Sequence, residues 1–186
     1  MCIRDSLNKT PYINITWKIE KDLKGIKENT KKGHDYAARV FAIKKTGATP
    51  LSNRAINYVF SSNSEVGENW PSPYTKKSID NVLASTKNNF NEWVTVKANV
   101  KEDFKRFHDL DVDELDGLAI MADTDNSKMK SISYFQNIYF SENWNFKYLF
   151  KIKLRKDNKI AATTSANGIA FGKPKFQIIT PINHII

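Results

Sequence analysis

The chain has 186 residues, 40% of them hydrophobic, which is enough to form the core of one domain with at most a small appendage. Its formal net charge is +9, but residues 143–186 hold eight Lys or Arg and one acid, which leaves 21 basic and 19 acidic residues in 1–142. This nearly neutral body disfavours a nucleic-acid-binding protein, the only cysteine (Cys2) excludes an internal disulfide, and the lack of an apolar run of about 18 residues argues against a membrane span.

The first half of the chain is predicted to form strands. Residues 12–20 alternate between apolar and polar side chains, which is typical of a half-buried strand. Residues 33–43 are predicted to form a second strand. Because successive side chains of a strand point to opposite faces, Asp35 and Arg39 would share one face and Tyr36 would lie on the other.

Further strands are predicted from short β-prone runs bounded by turn residues. These runs cover residues 55–61, 79–85, 92–98, 115–123, 132–140 and 146–154. Residues 62–77 are predicted to be a long loop, of a length at which loops are often functional. One short helix is predicted at 100–108, with Asn99 as its N-cap. Many short strands and one helix predict a mostly β protein, an antiparallel β-sandwich.

Five separated motifs occur in the order typical of one family. They are Asp35-Tyr36-Ala37-Ala38-Arg39-Val40, Asn57-Tyr58-Val59, Trp70-Pro71-Ser72-Pro73-Tyr74-Thr75, Asn99-Val100 with Glu102-Asp103-Phe104, and Asp123-Thr124-Asp125-Asn126. Over residues 10–141 the chain therefore resembles the family called domain of unknown function 3047. It departs from that family at His34, where an acid is usual, and at Gln136-Asn137-Ile138, where Gly-Asp-Ile is usual.

The resemblance implies a jelly-roll sandwich akin to carbohydrate-binding modules, found in periplasmic or secreted proteins, with no established activity. Residues 134–140 are also similar, more loosely, to the closing strand of galactose-binding-like modules. No signal peptide is visible in this chain, and residues 1–6 resemble the adaptor-derived starts of assembled metagenomic reading frames.

The resemblance also implies a division of the chain into three segments. We expect a non-family stretch at 1–9, a β-sandwich domain at 10–141 that is truncated at its start, and a basic tail at 142–186. The tail is interpreted either as an extra hairpin or as a non-native extension.

An acid and a base inside an otherwise apolar strand are costly unless they are paired, solvated or used. In a regular strand Asp35 and Arg39 would lie roughly 13 Å apart, at about 3.3 Å per residue, so they cannot pair with each other. One interpretation is a ligand site lined by Asp35, Arg39 and Asn57, since a guanidinium suits carboxylates and sugar diols. The alternatives are a cross-strand salt bridge that closes one side of the sandwich, and simple exposure to solvent.

The run that begins at Asp123 resembles the start of a calcium loop. An EF-hand needs glycine at its sixth position and glutamate at its twelfth, where this chain has Lys128 and Tyr134, so that interpretation fails. Three interpretations stay open: calcium held by Asp123 and Asp125, an Asx turn, and direct ligand contact by both residues and Asn126. No other cofactor is expected.

Aromatic residues supply the remaining candidates for ligand binding. Trp70 and Tyr74 lie in a proline-braced segment and are predicted to stack against a sugar, although Trp70 could instead plug the core. Tyr58 is a further ligand candidate, with a core position as its alternative. His34 and His108 are interpreted as surface or turn histidines, because neither has a partner at metal-ligand spacing.

The sequence contains no nucleophile elbow, phosphate loop, dinucleotide fingerprint or HExxH motif. The main hypothesis is a non-enzymatic, exported β-sandwich that binds a small polar ligand such as a saccharide. One alternative is a glycoside-hydrolase-like enzyme that uses Asp35 and Asp123, since that chemistry needs two carboxylates. Another is a structural or protein-interaction domain. The oligomeric state is not predicted.

Overall fold

The computed structural model describes residues 6–142, 160–165 and 177–178. These residues form one α-helix, α1 (Val100–His108), a short 3-10 turn (Pro50–Ser52) and ten strands. The strands are β1 (Tyr12–Lys21), β2 (Ala38–Lys44), β3 (Arg54–Ser61), β4 (Asn69–Ser72), β5 (Thr75–Ser85), β6 (Val94–Asn99), β7 (Gly117–Met121), β8 (Lys130–Ser141), β9 (Ile160–Ser165) and β10 (Gln177–Ile178). In this part of the chain no helix has the length and apolar character needed to cross a bilayer.

The strands form two sheets. The first has the order β6-β1-β8-β9, and the second has the order β10-β7-β2-β3-β5-β4. Among the described strands every pair is antiparallel except β3 and β5, which are parallel because the chain crosses over through the edge strand β4. The mostly β architecture with one short helix is therefore confirmed, with one parallel pair that the antiparallel prediction did not include.

The core lies between the two sheets. In β1 the residues Ile13, Ile15, Trp17 and Ile19 are fully buried, as the alternating pattern predicted. The Trp17 ring contacts Phe60 of the other sheet, with 5.5 Å between ring centroids. Burial of this apolar area is the main term that holds the sheets face to face.

Helix α1 begins where the sequence predicted. The side chain of Asn99 accepts a hydrogen bond from the backbone N–H of Glu102 at 3.2 Å, which satisfies one of the free amides of the first turn. Val100 and Phe104 are buried, and Phe107 packs against the same core. The helix therefore covers the core beside β1, β3 and β6.

Two boundaries differ from the predictions. Strand β2 begins only at Ala38, so Asp35 and Tyr36 precede it. The reason is that Tyr36 uses its backbone N–H and C=O to bind Asp123 instead of a neighbouring strand. The predicted loop 62–77 contains β4 and the start of β5, because Asn69 to Pro71 pair with the middle of β5. Pro71 is tolerated there since β4 is an edge strand. The strand predicted at 146–154 lies outside the described residues.

Candidate functional site

Polar side chains collect on the outer face of the six-stranded sheet. Alternation along β2, β3 and β5 places Arg39, Asn57 and Asp80 on this face, opposite the core. Asn57 pairs with Asp80 across β3 and β5, and Trp70 of β4 pairs with Asp80 on its other side. Together with side chains from two loops they form what we call the polar layer. Its members are His34, Asp35, Tyr36, Arg39, Asn57, Asp80, Asp123 and Asn126.

The carboxylate of Asp80 lies at the centre of one half of the polar layer. It is fully buried and accepts hydrogen bonds from His34 Nε2 at 2.7 Å, from the Tyr36 hydroxyl at 3.2 Å and from Asn57 Nδ2 at 2.6 Å. Burial, and then the nearby negative charge of Asp80, raises the pKa of Tyr36, so its hydroxyl stays a donor. A buried acid is stable here because three donors surround it.

Asp35 lies at the centre of the other half. Its carboxylate accepts bonds from the side-chain amide of Asn126 at 2.8 Å and from the backbone N–H of Ser127 at 2.6 Å. Burial alone would raise the pKa of Asp35, but the hydrogen bonds from Ser127 and Asn126 outweigh it and leave this pKa below its usual value. Asp35 therefore connects the segment that precedes β2 to the loop that follows β7 by hydrogen bonds.

Arg39 forms a buried ion pair with Asp123, through its Nη2 and the Asp123 Oδ2. Only 3% of Arg39 is exposed, and its guanidinium lies 5.2 Å from the ring centroid of Tyr36 and 5.3 Å from that of Phe41. Burial raises the pKa of Asp123 above its usual value, although Arg39 opposes that shift. The pair is similar to the salt bridge that the sequence left as an alternative, except that Asp123 lies in the loop beyond β7 and not in a strand.

The carboxylates of Asp35, Asp123 and Asp125 converge, with one oxygen of each within 4.8 Å of the others. Such a set could hold a cation, since carboxylate oxygens are the ligands that calcium prefers. However, the oxygens of Asp35 and Asp123 already accept hydrogen bonds from protein donors. The two carboxylates of Asp35 and Asp123 are close enough to keep two-carboxylate hydrolysis open, but Asp35 is fully buried and cannot touch a substrate in this conformation.

Tyr74 is the aromatic member of the site that faces solvent. Its side chain is 57% exposed, yet its hydroxyl donates to Asn126 Oδ1 at 2.8 Å and to the Lys31 carbonyl oxygen at 3.2 Å. The ring edge also contacts His34, with 5.5 Å between centroids. Tyr74, Lys31, Asp125 and Asn126 form what we call the Tyr74 rim, and Asn126 joins it to the polar layer.

The two other aromatic candidates are more buried than Tyr74. Tyr58 points into the core and donates to the Asp103 carboxylate of α1 at 2.8 Å. Burial raises the pKa of Tyr58 and raises that of Asp103 to about 6. Trp70 is partly buried and packs against Tyr36, Val59 and Val82 on the outer face of the sheet.

Sequence reasoning missed three members of the polar layer: His34, Tyr36 and Asp80. His34 was interpreted as a surface or turn histidine; it directly follows a turn, but only 6% of it is exposed, so the surface interpretation was wrong. His108 is partly buried, and its Nε2 lies 3.0 Å from the carbonyl oxygen of Ala55. Asp80 could have been found, since it is an acid inside an otherwise β-prone run, the same signal that singled out Asp35.

The sequence is similar to that of one known protein family. Residues 3–139 match the family model described as Protein of unknown function (DUF3047). The chain belongs to that family. No curated protein and no solved structure matches it.

Membership in the DUF3047 family explains the presence of the five motifs, but it assigns no activity to the chain. Four of the five motifs supply side chains to the polar layer or to the Tyr74 rim, although they are spread over residues 35–126. The remaining motif, which includes Glu102-Asp103-Phe104, supplies Asp103, and this residue accepts the hydrogen bond of Tyr58 on the core side of the sheet. In this chain the motifs of the DUF3047 family therefore meet at β2, β3, β5 and the loops above them.

Proposed function

We propose that this DUF3047 protein is a non-enzymatic β-sandwich that binds a polar ligand, a saccharide, at the Tyr74 rim. The observation that carries the proposal is the Tyr74 side chain, whose ring is exposed while its hydroxyl is held by Asn126 and Lys31. An aromatic ring that is already held in place stacks against the apolar face of a sugar at low entropic cost. Asp125 and Asn126 lie beside it as hydrogen-bonding groups.

The polar layer supports the rim from beneath. The bond from Asn126 to the buried Asp35 holds the amide that in turn accepts the Tyr74 hydroxyl. The polar layer costs stability, because Arg39 Nε and Asn57 Oδ1 are buried and have no hydrogen-bond partner among the described residues. Retention of such a layer is better explained by the positioning of a site than by stability alone.

The two other hypotheses from the sequence receive partial support. The burial of Arg39 against Asp123 favours a structural role for the interior half of the polar layer. The close approach of Asp35 and Asp123 favours a hydrolase, but the burial of Asp35 disfavours it. A role in binding fits both observations, since the interior residues then support the exposed rim and need not contact the ligand themselves.

The location of the protein in the periplasm or outside the cell is part of the same proposal. It is supported by the resemblance to exported proteins that the five motifs carry. A saccharide ligand fits that location, because cell-surface and extracellular polysaccharides are found there.

Calorimetric titration against a panel of neutral and charged oligosaccharides tests the proposal. We expect Tyr74→Ala to weaken binding by about five- to tenfold, the value of one aromatic stacking contact. Tyr74→Phe keeps the ring but loses the bonds to Asn126 and Lys31, so a smaller loss is expected. Phe90→Ala removes an exposed ring elsewhere, 45% exposed against 57% for Tyr74, and is the matched control. A wild-type protein that binds no member of the panel would overturn the proposal.

A further inference from the structure

The Tyr74 rim is surrounded by lysines. Lys31 lies over the ring, with its Nζ 5.9 Å from the ring centroid, and Lys32 follows it in the chain. Lys76 is two residues beyond Tyr74 and shares a strand face with Asp80, since positions 76, 78 and 80 alternate together. Lys128 ends the turn that contains Asn126, where its N–H donates to Thr124 at 2.9 Å.

These four lysines are exposed, and within the described residues none of them forms an ion pair. The surface lysines elsewhere behave differently at several positions. Lys44, Lys87, Lys101 and Lys105 each lie within 4 Å of a carboxylate oxygen. Other exposed lysines, among them Lys9, Lys21 and Lys45, also form no ion pair within the described residues. What distinguishes the four lysines named above is their position beside one exposed aromatic ring.

The acids near the rim do not offset this charge at the surface. Asp35 and Asp80 are fully buried and saturated by protein donors, and Asp123 is paired with Arg39. Only Asp125 is exposed. A ligand that approaches Tyr74 therefore meets ammonium groups first, and these are hydrated point charges suited to carboxylate or sulfate groups.

We propose that the ligand of the Tyr74 rim is an acidic saccharide, one whose rings carry carboxylate or sulfate groups. This inference rests on the proposed function, because it assigns the charge of the ligand at the same site. The ring of Tyr74 stacks against the apolar face of one sugar unit, and the four lysines pair with acidic groups on that unit and its neighbours. A short polymer is favoured over a monosaccharide, because the lysines come from three separate segments around one ring.

The test uses two matched pairs of probes with the full chain. One pair is an oligogalacturonate and its methyl ester, and the other is a sulfated dextran oligosaccharide and its unsulfated parent. In each pair the sugar rings are the same and only the charge differs. We expect at least one acidic probe to bind about tenfold tighter than its neutral partner at low salt, with the preference shrinking as salt is added.

Variants distinguish the contribution of the rim to binding from that of the basic tail (residues 142–186). The sequence of the tail is the same in all of them. Lys31→Glu combined with Lys128→Glu should abolish the preference for the acidic probe but keep the weaker binding of the neutral one. Lys9→Glu combined with Lys21→Glu makes the same change in net charge at exposed positions in and before β1 and should leave the preference intact. Equal loss in both double variants would show that net charge alone is responsible and would overturn the inference.

Three other outcomes are informative. Equal binding of acidic and neutral probes that depends on Tyr74 would overturn the inference and leave the proposed function standing. Failure of all four probes and of the wider saccharide panel would overturn both. Tighter binding of polyuridylate than of any saccharide, lost in the Lys31→Glu, Lys128→Glu variant, would assign the rim to single-stranded nucleic acid instead.

Discussion

His34 Nε2 lies 2.7 Å from Oδ2 of Asp80, although 46 residues separate the two along the chain. The imidazole belongs to a loop and the carboxylate to the middle of β5, so this contact holds the loop onto the outer face of the sheet. Tyr36 and Asn57 bind the same carboxylate, which makes Asp80 the acceptor for three buried donors.

We expect Asp80→Ala to lower the free energy of unfolding by about 3 kcal/mol. The reason is that the variant leaves buried donors on His34, Tyr36 and Asn57 without an acceptor. Urea denaturation followed by fluorescence measures the change. Asp111→Ala removes an exposed acid and should cost less than about 0.5 kcal/mol. Similar losses in both variants would contradict the central role of Asp80.

A second prediction concerns the pH dependence that Asp103 confers. Its pKa in the folded protein is about 6, against an ordinary value of 3.8, because burial beside Tyr58 outweighs the hydrogen bond. The folded state therefore holds the proton more tightly than the unfolded state between these two values. Stability contributed by this group is full below pH 3.8 and is lost as the pH rises through about 6.

Asp103→Asn should remove this part of the pH profile, since the amide stays neutral and still accepts from the Tyr58 hydroxyl. We expect the variant to gain about 1 kcal/mol relative to wild type between pH 4 and pH 7, after allowance for solvent screening. Denaturant unfolding at several pH values measures it. Glu92→Gln changes an exposed acid outside the helix, so it is the control and should leave this part of the profile unchanged. An unaltered slope in Asp103→Asn would contradict the prediction.

Asp35 gives folding stability the opposite dependence on pH. Its pKa is lowered, because its hydrogen bonds to Ser127 and Asn126 outweigh the effect of burial, so the ionised form favours the folded state. This stability is present above pH 3.8 and is lost as the pH falls through the lower folded-state pKa. Asp35→Asn places an amide donor beside the donors of Asn126 and Ser127. It should lower the free energy of unfolding by about 2 kcal/mol near neutral pH. The cost should shrink in acid, and a pH-independent cost would refute this explanation.

Gly33 is predicted to be intolerant of any side chain. A Cβ at this position would lie 2.5 Å from the carbonyl oxygen of Lys27, in the turn where Gly33 N–H donates to Thr30. Gly33→Ala must displace backbone and should cost about 2 kcal/mol. Gly117→Ala is the matched control, because its Cβ would make only ordinary contacts at 3.8 Å with Ile43. Thermal unfolding of the two variants compares them directly.

The cluster of Asp35, Asp123 and Asp125 predicts only a weak response to calcium. Arg39 already occupies an oxygen of Asp123, and Asn126 and Ser127 occupy those of Asp35, so a cation would have to displace these donors. We expect less than about 2 °C of thermal stabilisation by millimolar calcium, and none in Asp125→Asn. A large stabilisation that chelator reverses and Asp125→Asn removes would establish a calcium site there.

Much of the local structure follows from the sequence by itself. Alternation in β1 determined which residues form the core, and Asn99 with its acidic first turn determined the start of α1. Both signals come from residues close together in the chain, where periodicity and capping are strong. Alternation along β2 likewise placed Arg39 on the face opposite the core residues Val40 and Ala42.

Only the tertiary structure decided how these elements meet. The parallel pairing of β3 with β5 brings Asn57 beside Asp80, and it depends on a crossover that local patterns do not encode. The burial of His34 and the pairing of Arg39 with Asp123 likewise join segments 46 and 84 residues apart. A side chain's neighbours on a sheet depend on strand order and register, whereas the sequence specifies only the face on which it lies.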